Sequence, residues 1–202
     1  MLVNRMKLAN KITLSRFVFT AIALVLLYTE GFEAKVGALV FFIVSIVSDK
    51  LDGMIAQRFN QRSFFGKIFD QTADKVLVNL FWLALLDLRL LPFWLVALNL
   101  FREIVVVSIR GVVGTKGVIL ESKKTGKAEF AGRLKAALQM LVILAGLALI
   151  VMFFQPAAAV VSFLAPWALS TIFWLGVVAV AVSYWALADL LWKSRKVLLK
   201  DA

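Results

Sequence analysis

The 202-residue sequence contains no cysteine and no histidine. The absence of cysteine excludes disulfides, thiolate metal sites and cysteine nucleophiles. The absence of histidine removes the commonest general base, the serine–histidine catalytic arrangement and most zinc or copper sites. Acid–base or metal chemistry must therefore come from Asp, Glu, Lys, Arg, Tyr or water. Ligand sets made only of oxygen favour hard cations such as Mg²⁺ or Mn²⁺.

Acidic residues are also scarce: the chain has 12 Asp and Glu against 23 Lys and Arg, a formal net charge of +11. In a soluble protein this excess would suggest nucleic acid as a partner. Here 62% of the residues are hydrophobic, against about 45–50% in a typical soluble domain. We therefore expect basic loops that face anionic lipid headgroups, and no nucleic-acid partner. A basic cavity for a phosphorylated substrate is compatible with the same charge.

Apolar runs long enough to cross about 30 Å of hydrocarbon recur along the chain. They predict an all-α integral membrane protein with six transmembrane helices, in one domain over residues 1–202. The predicted spans are residues 12–28, 36–56, 64–86, 91–113, 134–154 and 166–192. Residues 1–15 carry Arg5, Lys7 and Lys11 between apolar residues, a pattern that predicts a short N-terminal interfacial helix.

Basic residues gather on one side of these predicted spans. They lie in the N-terminal segment, in the turn with Arg58, Arg62 and Lys67, in the segment with Lys116, Lys123, Lys124 and Lys127, and in the tail with Lys193, Arg195, Lys196 and Lys200. The opposite side has Lys35, Arg89 and an uncharged loop near Pro156. Since Lys and Arg concentrate in cytoplasmic loops, both termini are predicted to be cytoplasmic.

Four aspartates, Asp49, Asp52, Asp70 and Asp74, lie in the stretch "SDKLDGMIAQRFNQRSFFGKIFDQTADK" near the cytoplasmic ends of spans two and three. Pairs spaced i,i+3 and i,i+4 share one face of a helix, and the short turn between the spans predicts antiparallel neighbours. Four converging carboxylates would cost about 2.5–3.5 kcal/mol each in a membrane. Divalent cations would remove that cost, and two Mg²⁺ about 4 Å apart are a known clamp for a phosphoryl group.

Small residues accompany the aspartates. Gly53 and Ala56 follow on the side of Asp49 and Asp52, and Gly66 lies one turn before Asp70, so a ligand could approach the backbone. The alternative is that the acids lie in solvated turns and pair with neighbouring bases. For one aspartate that alternative is favoured, but four at paired helical spacings favour a functional site.

The same stretch resembles the signature of the CDP-alcohol phosphotransferase family, D-x2-D-G-x2-A-R-x8-G-x3-D-x3-D, and every spacing matches. One position departs, because Gln57 stands where the family has arginine and Arg58 follows it. The resemblance implies two Mg²⁺ or Mn²⁺ ions held by all four aspartates, with Asp74 as the base that deprotonates an acceptor alcohol. It also implies contacts to the CDP moiety from Asp52, Gly53, Ala56, Gln57, Arg58 and Gly66.

Two further segments, "REIVVVSIR" and "GRLKAALQM", resemble the R-E-x6-R and G-K-x-K-T-x2-Q-M patterns of the branch that forms phosphatidylglycerophosphate. Arg133 replaces the first Lys of the second pattern and Ala136 the Thr. This resemblance implies transfer of a phosphatidyl group from CDP-diacylglycerol to glycerol 3-phosphate. It makes Arg102, Arg110, Arg133 and Lys135 the predicted acceptor-phosphate site. An internal ion pair of Arg102, with Glu103 or an aspartate, is the alternative.

Near the N-terminus, Asn10, Thr13 and Arg16 resemble the N-x2-T-x2-R of family members and are possible site residues. A basic membrane anchor is the alternative for Arg16. The family resemblance further implies a homodimer, and we expect a bacterial inner membrane with the active site at its cytoplasmic side.

Three other functions stay open. The acceptor could be inositol phosphate, phosphatidylglycerol or serine, although the basic residues favour a phosphorylated acceptor. An intramembrane prenyltransferase also uses Asp-rich motifs with Mg²⁺, but its motifs typically lie far apart in sequence. A cation transporter would use the acids as ligands, but it predicts broken helices or inverted repeats, and the sequence shows neither.

Overall fold

A computed structural model of the chain describes residues 8–58, 64–115, 126–154 and 158–198. In this part of the chain the regular structure is all α-helical. The helices are α1 (Leu8–Tyr28), α2 (Phe32–Arg58), α3 (Phe64–Asp87), α4 (Phe93–Thr115), α5 (Gly126–Phe153) and α6 (Ala158–Leu198). Each predicted span overlaps one of these six helices, so the predicted all-α class is confirmed.

Two tight connections between helices are defined by their backbone conformations. Gly31, between α1 and α2, has a φ of 103°, which glycine adopts without steric cost. Arg89, after α3, has a φ of 59° and occupies the left-handed position that normally ends a helix with glycine. Its N–H donates to Leu86 O at 2.9 Å, and the N–H of Leu90 donates to Leu85 O at 2.9 Å. These two bonds close the end of α3.

Five of the six helix starts differ from the predicted spans, and those of α1 and α6 bear on particular predictions. Helix α1 begins at Leu8 and runs without a break through residues 8–15, while residues 1–7 lie outside the described residues. The separate interfacial helix over residues 1–15 therefore stays a prediction. Helix α6 passes through Pro166, where the sixth span was predicted to begin. A proline inside a helix removes one backbone hydrogen bond, but the helix continues on both sides of it.

Two stretches of the described residues are long and apolar enough to cross a membrane: Gly132–Phe153 in α5 and Leu164–Trp192 in α6. A shorter apolar stretch, Arg16–Tyr28, lies in α1. Helix α6 also exposes four tryptophans, here called the tryptophan stripe, which helical periodicity puts on one side of the helix. They are Trp167, Trp174, Trp185 and Trp192, each at least 59% exposed.

Helix α4 is polar inside and apolar outside. Phe101 and Ile104 are 60% and 65% exposed, whereas Asn99, Arg102 and Glu103 are buried. A helix at the surface of a water-soluble protein has the opposite arrangement, with its apolar stripe facing the core. The pattern is typical of a membrane helix, in which ionisable residues face the interior of the bundle.

The chain packs as two compact units. The first comprises residues 1–84 and 144–166, and the second comprises residues 85–143 and 167–202. The prediction of a single membrane domain over residues 1–202 stays a prediction.

In the first unit, aromatic contacts join neighbouring helices. Phe19 of α1 packs on Phe41 of α2, with ring centroids 6.1 Å apart. Phe42 of α2 meets Phe81 of α3 at 4.6 Å, and the ring planes are inclined by 61°. Phe42 and Phe81 are fully buried, so this second contact fixes how α2 and α3 lie against each other.

The first unit also contains a buried lysine. Lys35 Nζ donates to Leu27 O at 2.6 Å and to Thr29 O at 2.9 Å, and it lies 4.7 Å from the centroid of the Phe154 ring. The carbonyls of the last turn of a helix have no partner within the helix. Lys35 therefore caps the end of α1.

In the second unit, α4 and α6 approach closely at Gly176. A Cβ atom at this position would lie 2.6 Å from Leu95 Cδ2 and 3.4 Å from Leu91 Cδ2, so a side chain here would force the Leu95 side chain to shift. Further along the two helices, Val106, Ile109 and Leu187 form a buried apolar cluster. Tyr184 adds a hydrogen bond from its hydroxyl to Leu98 O at 3.1 Å.

Candidate functional site

The four aspartates lie on two helices that follow one another in the chain. Asp49 and Asp52 belong to the later part of α2, and Asp70 and Asp74 to the first half of α3. The predicted helical placement of all four positions is confirmed. The members of each pair therefore share a helix face, because residues three or four apart are neighbours on a helix surface. The structure describes the helical backbone at these four positions but not the four side chains.

The contact between Phe42 and Phe81 determines which levels of α2 and α3 are opposite each other. Asp49 follows Phe42 by seven residues, and Asp74 precedes Phe81 by the same number. Seven residues make about two helical turns, or about 10 Å, and return to within about 20° of the same side. Since α2 and α3 run in opposite directions, this register predicts that positions 49 and 74 lie at the same level. The second pair, Asp52 and Asp70, follows about one turn further on.

The remaining residues predicted to meet the CDP moiety are placed only by their backbone. Gly53, Ala56, Gln57 and Arg58 lie in the last turns of α2, where Arg58 is the final residue, and Gly66 lies in the first turn of α3. Their side-chain positions fall outside the described residues.

Of the predicted residues near the N-terminus, Asn10 and Thr13 are helical in α1, and their side chains lie outside the described ones. Arg16 is described and is only 1% exposed. Its backbone carbonyl accepts a hydrogen bond from Thr20 Oγ1 at 2.8 Å. Arg16 is therefore buried within the protein, whereas the alternative for this residue is a basic membrane anchor.

Two of the residues predicted to bind the acceptor's phosphate meet at a buried carboxylate. Arg102 Nη1 donates to Glu103 Oε1 at 2.8 Å, and Lys135 Nζ donates to the same oxygen. The guanidinium of Arg102 also donates from Nε to Ser183 O at 3.1 Å. The side chains of Arg102, Glu103 and Lys135 are 8%, 9% and 11% exposed. The Arg102–Glu103 ion pair, weighed as the alternative for Arg102, is therefore present.

For Arg110 and Arg133, the other two predicted phosphate ligands, the structure describes no contact with Glu103. Arg133 is exposed whereas Lys135 is buried, in keeping with the rule that residues two apart on a helix do not face each other. Arg110 is helical in α4, but its side chain lies outside the described ones. A role for either residue in binding phosphate stays a prediction.

An amide pair lies one turn away from the ion pairs. Gln139 Nε2 donates to Asn99 Oδ1 at 2.6 Å, and both residues are buried. Among the described residues, Asn99 Nδ2 and Ser183 Oγ have no hydrogen-bond partner. We use "polar cluster" for all six residues that these bonds and orphaned atoms define: Asn99, Arg102, Glu103, Lys135, Gln139 and Ser183.

Asn99 and Ser183 are functional candidates that were not predicted from the sequence. Asn99 could have been found, because it lies three and four positions before Arg102 and Glu103 on one face of α4. Ser183 has no such signal, since serine is common in membrane helices and the residues three and four positions away on either side are apolar. Its part in the polar cluster depends on how α6 packs against α4.

Comparison with known proteins gives consistent matches. A model of the CDP-alcohol phosphatidyltransferase family matches residues 6–192. The chain is 33% identical over 139 residues to a Mycobacterium tuberculosis protein named probable phosphatidylglycerophosphate synthase, covering 67% of this chain and 63% of that protein. It therefore spans less than two thirds of that relative.

Two further relatives are named CDP-diacylglycerol–glycerol-3-phosphate 3-phosphatidyltransferase. The protein from Bacillus subtilis is 30% identical over 132 residues, which cover 59% of this chain and 68% of the relative. The protein from Rickettsia typhi is 41% identical over 73 residues, which cover 36% of this chain and 40% of the relative.

Proposed function

This chain belongs to the CDP-alcohol phosphatidyltransferase family, and on that premise we propose that it transfers a phosphatidyl group from CDP-diacylglycerol to glycerol 3-phosphate. The products are phosphatidylglycerophosphate and CMP. The names of the relatives support this acceptor. The observation that carries the proposal is the buried contact between Phe42 and Phe81, from which helical geometry predicts that the aspartate positions of α2 and α3 lie at matching levels.

The four aspartates suit a pair of divalent cations. The family is generally dependent on divalent metals, and a chain without Cys or His offers the oxygen ligands that Mg²⁺ and Mn²⁺ prefer. We propose that Asp49, Asp52, Asp70 and Asp74 hold two such ions. When bound, the ions would neutralise the diphosphate oxygens of the donor and make CMP a better leaving group.

Asp74 is the proposed general base. An alcohol is a weak nucleophile until a base takes its proton, and this chain has no histidine to do so. The Asp74 carboxylate would accept the proton of the attacking hydroxyl group of glycerol 3-phosphate. The oxygen then bonds to the phosphorus that carries the diacylglycerol, and the bond from that phosphorus to the CMP oxygen breaks.

Small residues on both helices would admit the donor. Gly53 and Ala56 in α2 and Gly66 in α3 leave space for the CDP moiety beside the aspartates. Gln57 would donate a hydrogen bond to the diphosphate, and Arg58 would supply the positive charge that the family arginine provides one position earlier.

Basic residues would select the acceptor. We propose that Arg102, Arg110, Arg133 and Lys135 bind the phosphate of glycerol 3-phosphate, since guanidinium and ammonium groups form strong charge-assisted hydrogen bonds with phosphate oxygens. Asn10, Thr13 and Arg16 of α1 are further candidates for substrate contacts. A serine acceptor would leave these positive charges without a matching anion.

The membrane arrangement completes the proposal. The chain is an integral membrane protein, as its two membrane-crossing stretches and its family indicate. We propose that all six helices cross the bilayer of a bacterial inner membrane, with both termini and the active site at the cytoplasmic side. We also propose a homodimer, on the family resemblance alone.

The test uses the purified chain with CDP-diacylglycerol, Mg²⁺ or Mn²⁺ and a panel of alcohols. We expect metal-dependent CMP release with glycerol 3-phosphate and its loss when the metal is chelated. Asp74→Asn should abolish turnover and largely retain binding of the donor. Asp87→Asn, a matched change at the exposed end of α3, should leave turnover unchanged. If no alcohol supports CMP release, the proposed function is wrong; if Asp74→Asn keeps turnover, Asp74 is not the base.

A further inference from the structure

Glu103 is the acidic member of the polar cluster, and the proposed reaction gives it no role. Its Oε1 atom accepts hydrogen bonds from both Arg102 and Lys135. Arg102 precedes it in α4, and Lys135 lies in α5. One carboxylate oxygen therefore joins two helices and determines where two cationic side chains lie.

The surroundings of this carboxylate make its position well defined. Glu103 and its two partners are about nine-tenths buried, so water competes little for their hydrogen bonds. The other side of the Arg102 guanidinium is held by Ser183 O of α6. Arg102 is thus fixed between a carboxylate and a backbone carbonyl, and it cannot swing freely.

The charges of these three groups suit the binding of an anion. A guanidinium has five N–H donors and an ammonium has three. The three side chains carry a net charge of +1. Both donor number and charge therefore suit a phosphate group placed against Arg102 and Lys135.

We propose that Glu103 is a positioning residue for the acceptor's phosphate: it holds the Lys135 ammonium and the Arg102 guanidinium in the arrangement that phosphate binding requires. This inference rests on the proposed function. A free lysine side chain has many rotamers, and ordering it when the acceptor binds would weaken affinity. Glu103 orders both cations before the acceptor arrives.

The direction in which Glu103→Gln changes the KM for the acceptor distinguishes two roles for Glu103: positioning the two cations, or only balancing their charge. If Glu103 only offset positive charge, Glu103→Gln would strengthen the attraction for a dianionic acceptor and lower its KM. If Glu103 positions the two cations, the same change raises that KM. We expect a rise of roughly tenfold, the factor that corresponds to about 1.4 kcal/mol. The kcat at saturating acceptor and the KM for CDP-diacylglycerol should stay within about twofold.

A double-mutant cycle tests whether Glu103 acts through Lys135. The full chain is purified as wild type, Glu103→Gln, Lys135→Gln and the double variant, and the KM for glycerol 3-phosphate is measured for each. Groups in direct contact give non-additive effects, so the double variant should be little worse than Lys135→Gln alone. Inorganic phosphate, used as a competitive inhibitor, should lose affinity by a similar factor in Glu103→Gln.

Two further variants keep the test decisive. Glu33→Gln makes the same change at an exposed glutamate in the first turn of α2 and should alter no kinetic parameter. Glu103→Asp keeps the charge but shortens the side chain, and it should raise the acceptor KM by an intermediate factor; it replaces Glu103→Gln if thermal unfolding shows that the latter does not fold.

The inference is contradicted if folded Glu103→Gln has an unchanged or lowered KM for the acceptor. It is also contradicted if the effects of Glu103→Gln and Lys135→Gln are additive, or if Glu103→Gln impairs every kinetic parameter equally. CMP release by the wild type in the same assay shows that such a result does not bear on the proposed function. A wild type that releases no CMP with any alcohol contradicts the proposed function instead.

Discussion

Lys35 gives the sharpest stability prediction, because its three partners are known and all lie at the ends of helices. Its ammonium donates to Leu27 O and Thr29 O at 2.6 and 2.9 Å and lies over the Phe154 ring. Lys35→Met removes the charge and all three contacts but keeps an unbranched apolar side chain of similar length. The substitution therefore isolates the ammonium from the packing of its stem.

The expected loss follows from opposing contributions. Each carbonyl deprived of its donor costs about 1–3 kcal/mol, and the cation–ring contact contributes about 0.5–2 kcal/mol. Lys35 is only 7% exposed, so its ammonium pays a desolvation cost in the folded protein. Removing the charge removes that cost and offsets several kcal/mol of the loss. We expect a net loss of about 2–3 kcal/mol in the free energy of unfolding. At about 2–4 °C per kcal/mol for a chain of this size, the unfolding temperature should fall by roughly 4–12 °C.

The assay is thermal unfolding in detergent micelles, followed by the loss of monodisperse protein. Phe154→Leu is the matched variant, because it removes the ring contact and keeps both hydrogen bonds; it should lower the unfolding temperature by less than half as much. An unfolding temperature that Lys35→Met leaves unchanged, or raises, would refute the reasoning, since the ammonium would then contribute nothing to holding the end of α1.

Two other substitutions test packing in the two units. Gly176→Ala should lower the unfolding temperature, because a Cβ atom would lie 2.6 Å from Leu95 Cδ2 and overpacking typically costs about 1–3 kcal/mol. Gly132→Ala, at a helical position with open space, should not, and equal effects would contradict the close approach at Gly176. Phe42→Ala should raise the Mg²⁺ concentration needed for half-maximal CMP release, because it removes the contact with Phe81 that sets the register of α2 and α3. If Phe42→Ala is destabilised but needs the same Mg²⁺ concentration, the metal site does not depend on the contact between Phe42 and Phe81.

The helices themselves could be predicted because long apolar runs carry their own signal. Their ends could be predicted only in part: the end of α1 at Tyr28 and the start of α3 at Phe64 agree with the prediction, whereas other ends do not. Helix α5 begins at Gly126, before the predicted residue 134, because the polar turn that precedes an apolar run has no hydropathy signal. The sixth span was predicted to begin at Pro166, yet α6 begins at Ala158 and continues through this proline.

The candidate site, like the helices, could be predicted from the sequence only in part. The aspartate pairs could be predicted because each is defined within one helix by spacing alone. The ion pair between Arg102 and Glu103 could also be foreseen, since the two residues are adjacent. The bond from Lys135 to Glu103 could not, because it joins residues of different helices and depends on how α4 and α5 pack. For the same reason sequence reasoning missed the carbonyl of Ser183, which fixes Arg102.

The tryptophan stripe of α6 gives the chain a built-in optical reporter. Bromine atoms placed at known depths along a lipid acyl chain quench the fluorescence of an indole that touches them. Trp82 is fully buried whereas Trp167 and Trp192, near opposite ends of the stripe, are 72% and 67% exposed. Emission from the stripe would be quenched where it faces acyl chains and shielded where a second subunit covers it. Since the chain has no cysteine, a single introduced thiol could carry a second label without background.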